Sequence, residues 1–236
     1  MERSCGFASA GAIPPTAMAS GRFITFEGGE GSGKSTQAQL LADRLRAQGI
    51  DVLLTREPGG SPFAEQVRSL ILDPKTAQHS PLSEALLFYA ARADHLEKAI
   101  RPALAAGRWV ICDRFSDSTR VYQSIVGGVD PSVIDALDRL LVAPTSSDLT
   151  FILDVPAATG LMRANRRRHA GQPEGAEPDP YEKRDLAFHE RLRAGYLAIA
   201  KAEPQRCLLI DGAAPSDAIA HEVWAQAASR LLRGTA

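Results

Sequence analysis

The stretch GGEGSGKST, Gly28 to Thr36, fits the spacing G-x-x-x-x-G-K-[ST] at every fixed position, and it lies between an apolar run, RFITFE, and an amphipathic one, QAQLLADRLRAQ. A strand, a glycine-rich turn and the start of a helix in that order are what a phosphate-binding loop needs. Gly28, Gly31 and Gly33 permit backbone conformations closed to larger residues, so that successive N–H groups turn inward toward phosphate oxygens. The helix opening near Lys34 adds the positive end of its dipole. In this reading Gly28, Gly29, Glu30, Gly31, Ser32, Gly33, Lys34, Ser35 and Thr36 cradle a nucleoside triphosphate. Lys34 reaches its outer phosphates, and the Ser35 hydroxyl holds Mg²⁺.

From Gly21 onward, β-rich runs (RFITFE, DVLLT, RWVICD, LTFILDV, RCLLI) alternate with helical patterns such as FAEQVRSLIL, LSEALLFYAARADHLEKAIRPALAAG and SVIDALDRLL. Alternation of this kind predicts a parallel sheet covered by helices on both faces. Residues 166–185 read as a lid inserted in that pattern, the lid as a whole taken as about 163–185, while residues 1–20 lack periodicity and a signal-like apolar centre and read as a disordered leader. A formal net charge of −1 speaks against a protein held on nucleic acid by bulk electrostatics, and no apolar stretch approaches the ~18 residues of a membrane span. The three cysteines, Cys5, Cys112 and Cys207, have no metal or disulfide spacing, and the five histidines have no metal spacing either.

A phosphate loop serves switches, motors and kinases alike. The guanine-reading NKxD element and the DxxG switch of signalling GTPases are both missing from the sequence. A motor-type ATPase usually carries a longer strand ending in a lone carboxylate, whereas WVICDRF ends in Asp113 followed at once by Arg114. The carboxylate suits Mg²⁺ or its waters; the guanidinium suits a second anion, with a surface ion pair as the plainer alternative. Two phosphate-bearing substrates are implied.

FEGGEGSGKST, TREPGG, LLFYAARADH, DRFSDSTRVYQ and LTFILDV, in this order and spacing, resemble bacterial thymidylate kinase from about Gly21 to the C-terminus. The resemblance implies a three-layer α/β/α phosphate-loop kinase fold with five parallel strands and a short lid. It also implies transfer of the γ-phosphate of ATP·Mg²⁺ to dTMP by a cytoplasmic homodimer. The open alternatives are a kinase for another nucleoside monophosphate or small phosphorylated metabolite, and a regulatory ATPase with no small acceptor.

Phosphoryl transfer needs cations and positioned donors more than a proton-abstracting base, because a monophosphate is already an anionic nucleophile. Lys34 and Arg114 are therefore expected to face charge during transfer, and Arg114 and Arg56 to grip the acceptor phosphate. Arg68 resembles a further phosphate contact, with a solvated helix face as the alternative. Phe88 and Arg92 share a helix face four residues apart, and the resemblance makes them a stacking ring and a donor for thymine O4. By the same route Thr119 and Gln123 match base-contacting positions, Tyr122 packs under the sugar, and Glu30 meets the 3′-hydroxyl. Glu57 of TREPGG is left open between substrate, Mg²⁺ and Arg56. Asp154 reads as a ligand contact or a helix cap.

The lid departs from the resemblance. Bacterial members without a basic residue in the phosphate loop carry a lid segment reading roughly Asp-Arg-hydrophobic-Glu, and here that segment is DPYE, with Pro180 in the arginine's place. The missing cation is expected from Arg163, Arg166 or Arg167, with Arg166 and Arg167 foremost, and more weakly from Lys183 or Arg184.

Overall fold

In a computed structural model, which describes residues 21–76, 79–143, 145–171 and 180–232, the chain forms a parallel sheet of five strands in the order β2-β3-β1-β4-β5. The strands are β1 (Phe23–Glu27), β2 (Val52–Arg56), β3 (Trp109–Asp113), β4 (Leu149–Asp154) and β5 (Cys207–Asp211). Each falls within one residue of an apolar run in the sequence. β1 is central, pairing Thr25 with Cys112 on one side and with Thr150 on the other.

Alternate residues of β1 enter different cores, as the period-2 geometry of a strand requires. Ile24 and Phe26 pack with Leu41 and Leu45 of α1 (Lys34–Ala47) and Val223 of α9 (Ser216–Ala227). Phe23 packs on the opposite face with Tyr89 of α3 (Pro81–His95), Leu96 and Ile134. A third cluster seats Leu192, Tyr196 and Ile199 of α8 (Leu186–Ala202) against Ile152. Helices thus cover both faces, giving the three-layer architecture that the strand–helix alternation predicts.

Helix starts follow local sequence. Ser61, Ser80 and Asp130 each accept a backbone N–H at the start of α2 (Pro62–Leu72), α3 and α6 (Pro131–Leu137), and proline fills the first helical position each time. The long pattern after Ser80 continues from α3 through a π-helical stretch, Leu96–Ile100, into α4 (Arg101–Ala105). DRFSDST opens a helix, α5 (Ser116–Thr119), that runs on without a break through a π-helical stretch, Arg120–Val126.

The helix that enters the lid carries the candidate arginines and runs on to Gly171. α7 (Ala157–Gly171) carries Arg163, Arg166 and Arg167 in regular helix, because arginine and alanine are good helix formers and no proline interrupts the run. The expected leader, 1–20, lies outside the described residues, as do the lid's 172–179.

Candidate active site

All five strands run the same way, so their C-terminal ends bring β1, β3 and their following loops to one edge, where ligands bind in sheets of this kind. Gly28, Gly31 and Gly33 all take positive φ, 135°, 64° and 96°. Gly31 has a second reason to lack a side chain: a Cβ there would stand 2.0 Å from the Gly160 carbonyl oxygen, and one on Gly160 would stand 2.3 Å from the Glu30 oxygen. The phosphate loop is pressed backbone to backbone against the first turn of α7. Lys34 Nζ donates to Gly29 O at 2.8 Å, and burial, followed by the nearby Arg114 charge, pulls its ammonium down to about 8. A desolvated cation capped by a carbonyl is ready to exchange that partner for phosphate. Ser35 Oγ donates to Asp113 Oδ2, so the two expected metal-side groups meet.

Arg114 is the centre of the site. Its backbone is left-handed, φ 68°, a conformation that costs a non-glycine residue about 1–2 kcal/mol. The strained turn is held by Arg114 N donating to Phe26 O at 2.9 Å, and it sends the guanidinium into the cleft instead of along the strand. Nη1 donates to Gly28 O (3.2 Å), Ser118 Oγ (3.2 Å) and Tyr196 Oη (3.1 Å), and Nη2 to Glu30 Oε1 (2.5 Å). Burial alone would raise the Glu30 carboxyl, but Arg114, Lys34 and the Tyr122 hydroxyl, which donates to Oε1 at 3.0 Å, hold it down to about 2. The ion pair relieves the repulsion that a carboxylate in a phosphate loop would otherwise create.

Two cavities adjoin here. One, about 730 Å³, is lined by Gly31, Gly33, Lys34, Ser35 and Thr36 together with Arg56, Asp113, Arg167 and Glu182. The other, about 630 Å³, is lined by Phe88, Arg92, Thr119, Tyr122, Gln123 and Tyr181. Glu30, Glu57, Arg68 and Arg114 line both. A polar phosphate cleft therefore opens onto an aromatic pocket across Arg114, with Arg68 beside it.

The aromatic pocket is pre-organised by a pair that sequence reasoning missed. Glu57, 5% exposed, accepts from Arg92 Nε at 2.7 Å and from His95 Nδ1 at 3.1 Å, and His95 Nε2 meets Thr55 Oγ1 at 2.8 Å. Arg92, 2% exposed, also donates through Nη2 to Phe115 O (3.1 Å) and Thr119 Oγ1 (2.9 Å). Burial works against its charge, yet Glu57 and its neighbours raise the guanidinium above its ordinary range. Arg92 Nη1 is buried with no hydrogen-bond partner among the described residues. An orphan donor of this kind is costly unless a ligand carbonyl takes it.

The remaining expected residues sort as follows. Thr119 lines the pocket, but its hydroxyl accepts from Arg92. Gln123 Nε2 donates to Glu84 Oε2 at 2.9 Å. Arg56 is exposed and donates to both Glu65 carboxylate oxygens at 3.1 Å, while Arg68 donates to Pro58 O at 2.9 Å. Glu57 pairs with Arg92, not with Arg56. Asp154 accepts from Arg193 Nε and Nη2 at 2.6 and 2.9 Å. On α7, Arg163 donates to Gly212 O (2.7 Å) and Ala213 O (3.3 Å), Arg166 is exposed, and Arg167 lines the phosphate cleft. Lys183 and Arg184 line a separate surface cavity beside His79 and Glu84.

Glu27 is a residue the sequence reading passed over. It is fully buried at the end of β1, where Oε1 accepts from Phe115 N (2.7 Å) and Ser118 N (3.3 Å) and Oε2 from Ser118 Oγ (2.6 Å) and Tyr196 Oη (3.3 Å). Burial, then the charge of Asp117, pushes its carboxyl up to about 7.

A parallel α/β sheet, a phosphate loop and a second pocket meeting at Arg114 define a phosphate-loop kinase acting on a small acceptor. The sequence profile of the family described as thymidylate kinase matches residues 26–223. The chain is 51% identical over 225 residues to the thymidylate kinase of Nitrobacter winogradskyi, covering 95% of this chain and 96% of that one. It is 54% identical over 202 residues to that of Caulobacter vibrioides, covering 86% and 93%. The crystal structure of thymidylate kinase from Ehrlichia chaffeensis superposes with a TM-score of 0.67 at 38% identity, over 86% of this chain and 97% of that one. The chain belongs to the thymidylate kinase family.

Proposed function

We infer that this enzyme transfers the γ-phosphate of ATP to dTMP, giving dTDP and ADP. The observation that carries the reading is the junction of the two cavities: a phosphate cleft and a base-sized aromatic pocket share Arg114 and Glu30. ATP phosphates lie along Gly28–Thr36 with Lys34 against them. The acceptor phosphate enters from the other side onto Arg114, with Arg56 and Arg68 at its edge. Thymine stacks on Phe88 and takes the orphan Arg92 Nη1 through a ring carbonyl, as the resemblance implies. Tyr122 packs beneath the sugar and, with Arg114, fixes Glu30 for the 3′-hydroxyl. Thr119 acts on the base through Arg92, and Gln123 closes the pocket's far wall with Tyr181.

The Ser35 hydroxyl and Asp113 carboxylate, two hard oxygen donors at the mouth of the phosphate cleft, fit Mg²⁺, which takes few protein ligands when phosphates and waters complete its shell. The ion, when bound, supplies positive charge to the outer phosphates of ATP. From the protein, Lys34 and Arg114 neutralise charge on either side of the transferred group, and no residue need abstract a proton. Of the lid arginines, Arg167 supplies the third cation, since it lines the cleft that Arg163 and Arg166 leave to it. The protein acts as a cytoplasmic homodimer. Phe63 and Leu70 on α2 and Leu82 and Leu86 on α3, all 45–49% exposed on packed neighbouring helices, offer an apolar face for a second copy.

One coupled assay tests the reading: ADP release with ATP and each nucleoside monophosphate in turn. Turnover with dTMP well above every other acceptor is expected. A dTMP rate no greater than the acceptor-free background would end it.

A further inference from the structure

Arg114 Nη1 faces two hydroxyls, Ser118 Oγ and Tyr196 Oη, that stand 2.9 Å from one another. A guanidinium nitrogen only donates, so each hydroxyl must offer it a lone pair and turn its own proton elsewhere. The acceptor for those protons is Glu27 Oε2, 2.6 Å from Ser118 Oγ and 3.3 Å from Tyr196 Oη. Its other oxygen is occupied by two backbone N–H groups, so the carboxylate is an acceptor on every side. We propose that Glu27 is a positioning residue for Arg114: by drawing the Ser118 and Tyr196 hydroxyl protons onto Oε2, it turns their lone pairs toward Nη1 and fixes where the guanidinium presents itself.

The arrangement joins three parts of the chain that share no local sequence, the end of β1, α5 and the middle of α8. Glu30 anchors Nη2 from one side; the Glu27 pair of hydroxyls anchors Nη1 from the other. Together, and with Gly28 O as a further acceptor on Nη1, they hold the planar fork against rotation more tightly than the ion pair at Nη2 and the one carbonyl would. Misplacing a charge-neutralising group by about 1 Å is worth about 10²-fold in rate, so an orienting network at full burial has kinetic leverage. A glutamine at position 27 reverses the polarity. Its carbonyl must face the two backbone N–H donors, which leaves its NH₂ donating to the same hydroxyls that Arg114 uses.

The proposal rests on Arg114 being the acceptor-phosphate arginine, and the test separates the two. Measure kcat and KM for dTMP and ATP at pH 8 for the parent, Glu27→Gln, Arg114→Ala and the double variant, with thermal melts of each. Glu27→Gln is expected to lower kcat/KM for dTMP about 10- to 100-fold while KM for ATP changes less than about 3-fold. In the Arg114→Ala background the same change should cost less than about 3-fold, because Glu27 acts through that arginine. Glu27→Asp, which keeps the charge, should recover part of the loss. An equal fold-loss in both backgrounds, or parental kcat/KM in Glu27→Gln, overturns the proposal. Activity retained by Arg114→Ala alone overturns the reading beneath it instead. Should Glu27→Gln not fold, Tyr196→Phe replaces it, with a loss of about 3- to 10-fold expected in the parent and none in the Arg114→Ala background; no loss in the parent, or the same loss in both, overturns the proposal equally.

Discussion

Glu57→Gln is expected to destabilise the protein by about 3 kcal/mol without emptying the aromatic pocket of donors. The pair it breaks is among the least exposed in the molecule: Glu57 and Arg92 side chains are 4% and 1% accessible and meet at 2.7 Å. Removing one partner of such a pair leaves an uncompensated buried charge, worth about 3–5 kcal/mol. The lower end applies because the amide can still accept from Arg92 Nε, while its NH₂ donates to a His95 ring that changes tautomer. For a chain of this length the loss corresponds to a fall in Tm of about 6–12 °C. Arg92→Met in the same background removes the stranded charge, so the double variant should recover about 2 kcal/mol relative to the sum of the single changes. Urea and thermal unfolding of the four proteins measure the cycle. Strict additivity, or a Tm for Glu57→Gln within 2 °C of the parent (about half a kcal/mol), would show that the pair does not brace Arg92 as the geometry indicates.

Arg114→Ala and Arg114→Gly should both lose about 10²-fold or more in turnover, since each deletes a cation facing the transferred charge. The glycine variant should be more stable than the alanine one by about 1–2 kcal/mol, because position 114 is left-handed; equal melts would deny the strain. Tyr122→Ala should narrow the preference for dTMP over its ribose analogue, read as a ratio of kcat/KM values, and an unchanged ratio removes Tyr122 from sugar selection. Arg167→Ala should lower kcat more than it raises KM for dTMP, with Arg166→Ala close to the parent; the opposite order would move the lid cation one residue back along α7. Glu27 binds its proton more tightly folded (about 7) than unfolded (4.5), so its contribution to stability falls as pH rises through that window and is level above it. The stability of Glu27→Gln relative to the parent should therefore grow by about 2–3 kcal/mol between pH 5 and pH 8, and a flat difference would refute the shift.

The readable parts of this molecule were those written locally. The phosphate loop is a fixed string of residues whose backbone demands only glycine meets, and each strand is an apolar run bounded by turn residues. Arg92 was legible as a helix-face donor, but its partner sits 35 positions earlier and belongs by sequence to a loop. Glu27 was harder still: it ends an apolar strand, and the groups that define it, Ser118 and Tyr196, reach it only after the sheet and α8 have packed. The partner of Asp154 was hidden for the same reason, since Arg193 comes to it from a helix 39 residues away. Local grammar exposes backbone-dictated sites, whereas side-chain braces between distant segments are visible only in the packed structure.

The contact between Gly31 and Gly160 makes α7 a lever with its fulcrum on the phosphate loop. Arg163, fastened to the Gly212 and Ala213 carbonyls, adds a second bearing one turn on. Both bearings tie the first turns of α7 to the body of the protein, so the freedom left to the helix grows with distance beyond them. At about 1.5 Å per residue, Arg167 stands about 10 Å beyond Gly160, so a tilt of about 5° carries it about 1 Å. Displacements of that size separate a productive cation from a spectator. The angular stiffness of one helix therefore sets how far Arg167 strays from its place, and a side chain at position 160, which would strike the Glu30 carbonyl, would detune it from outside both clefts.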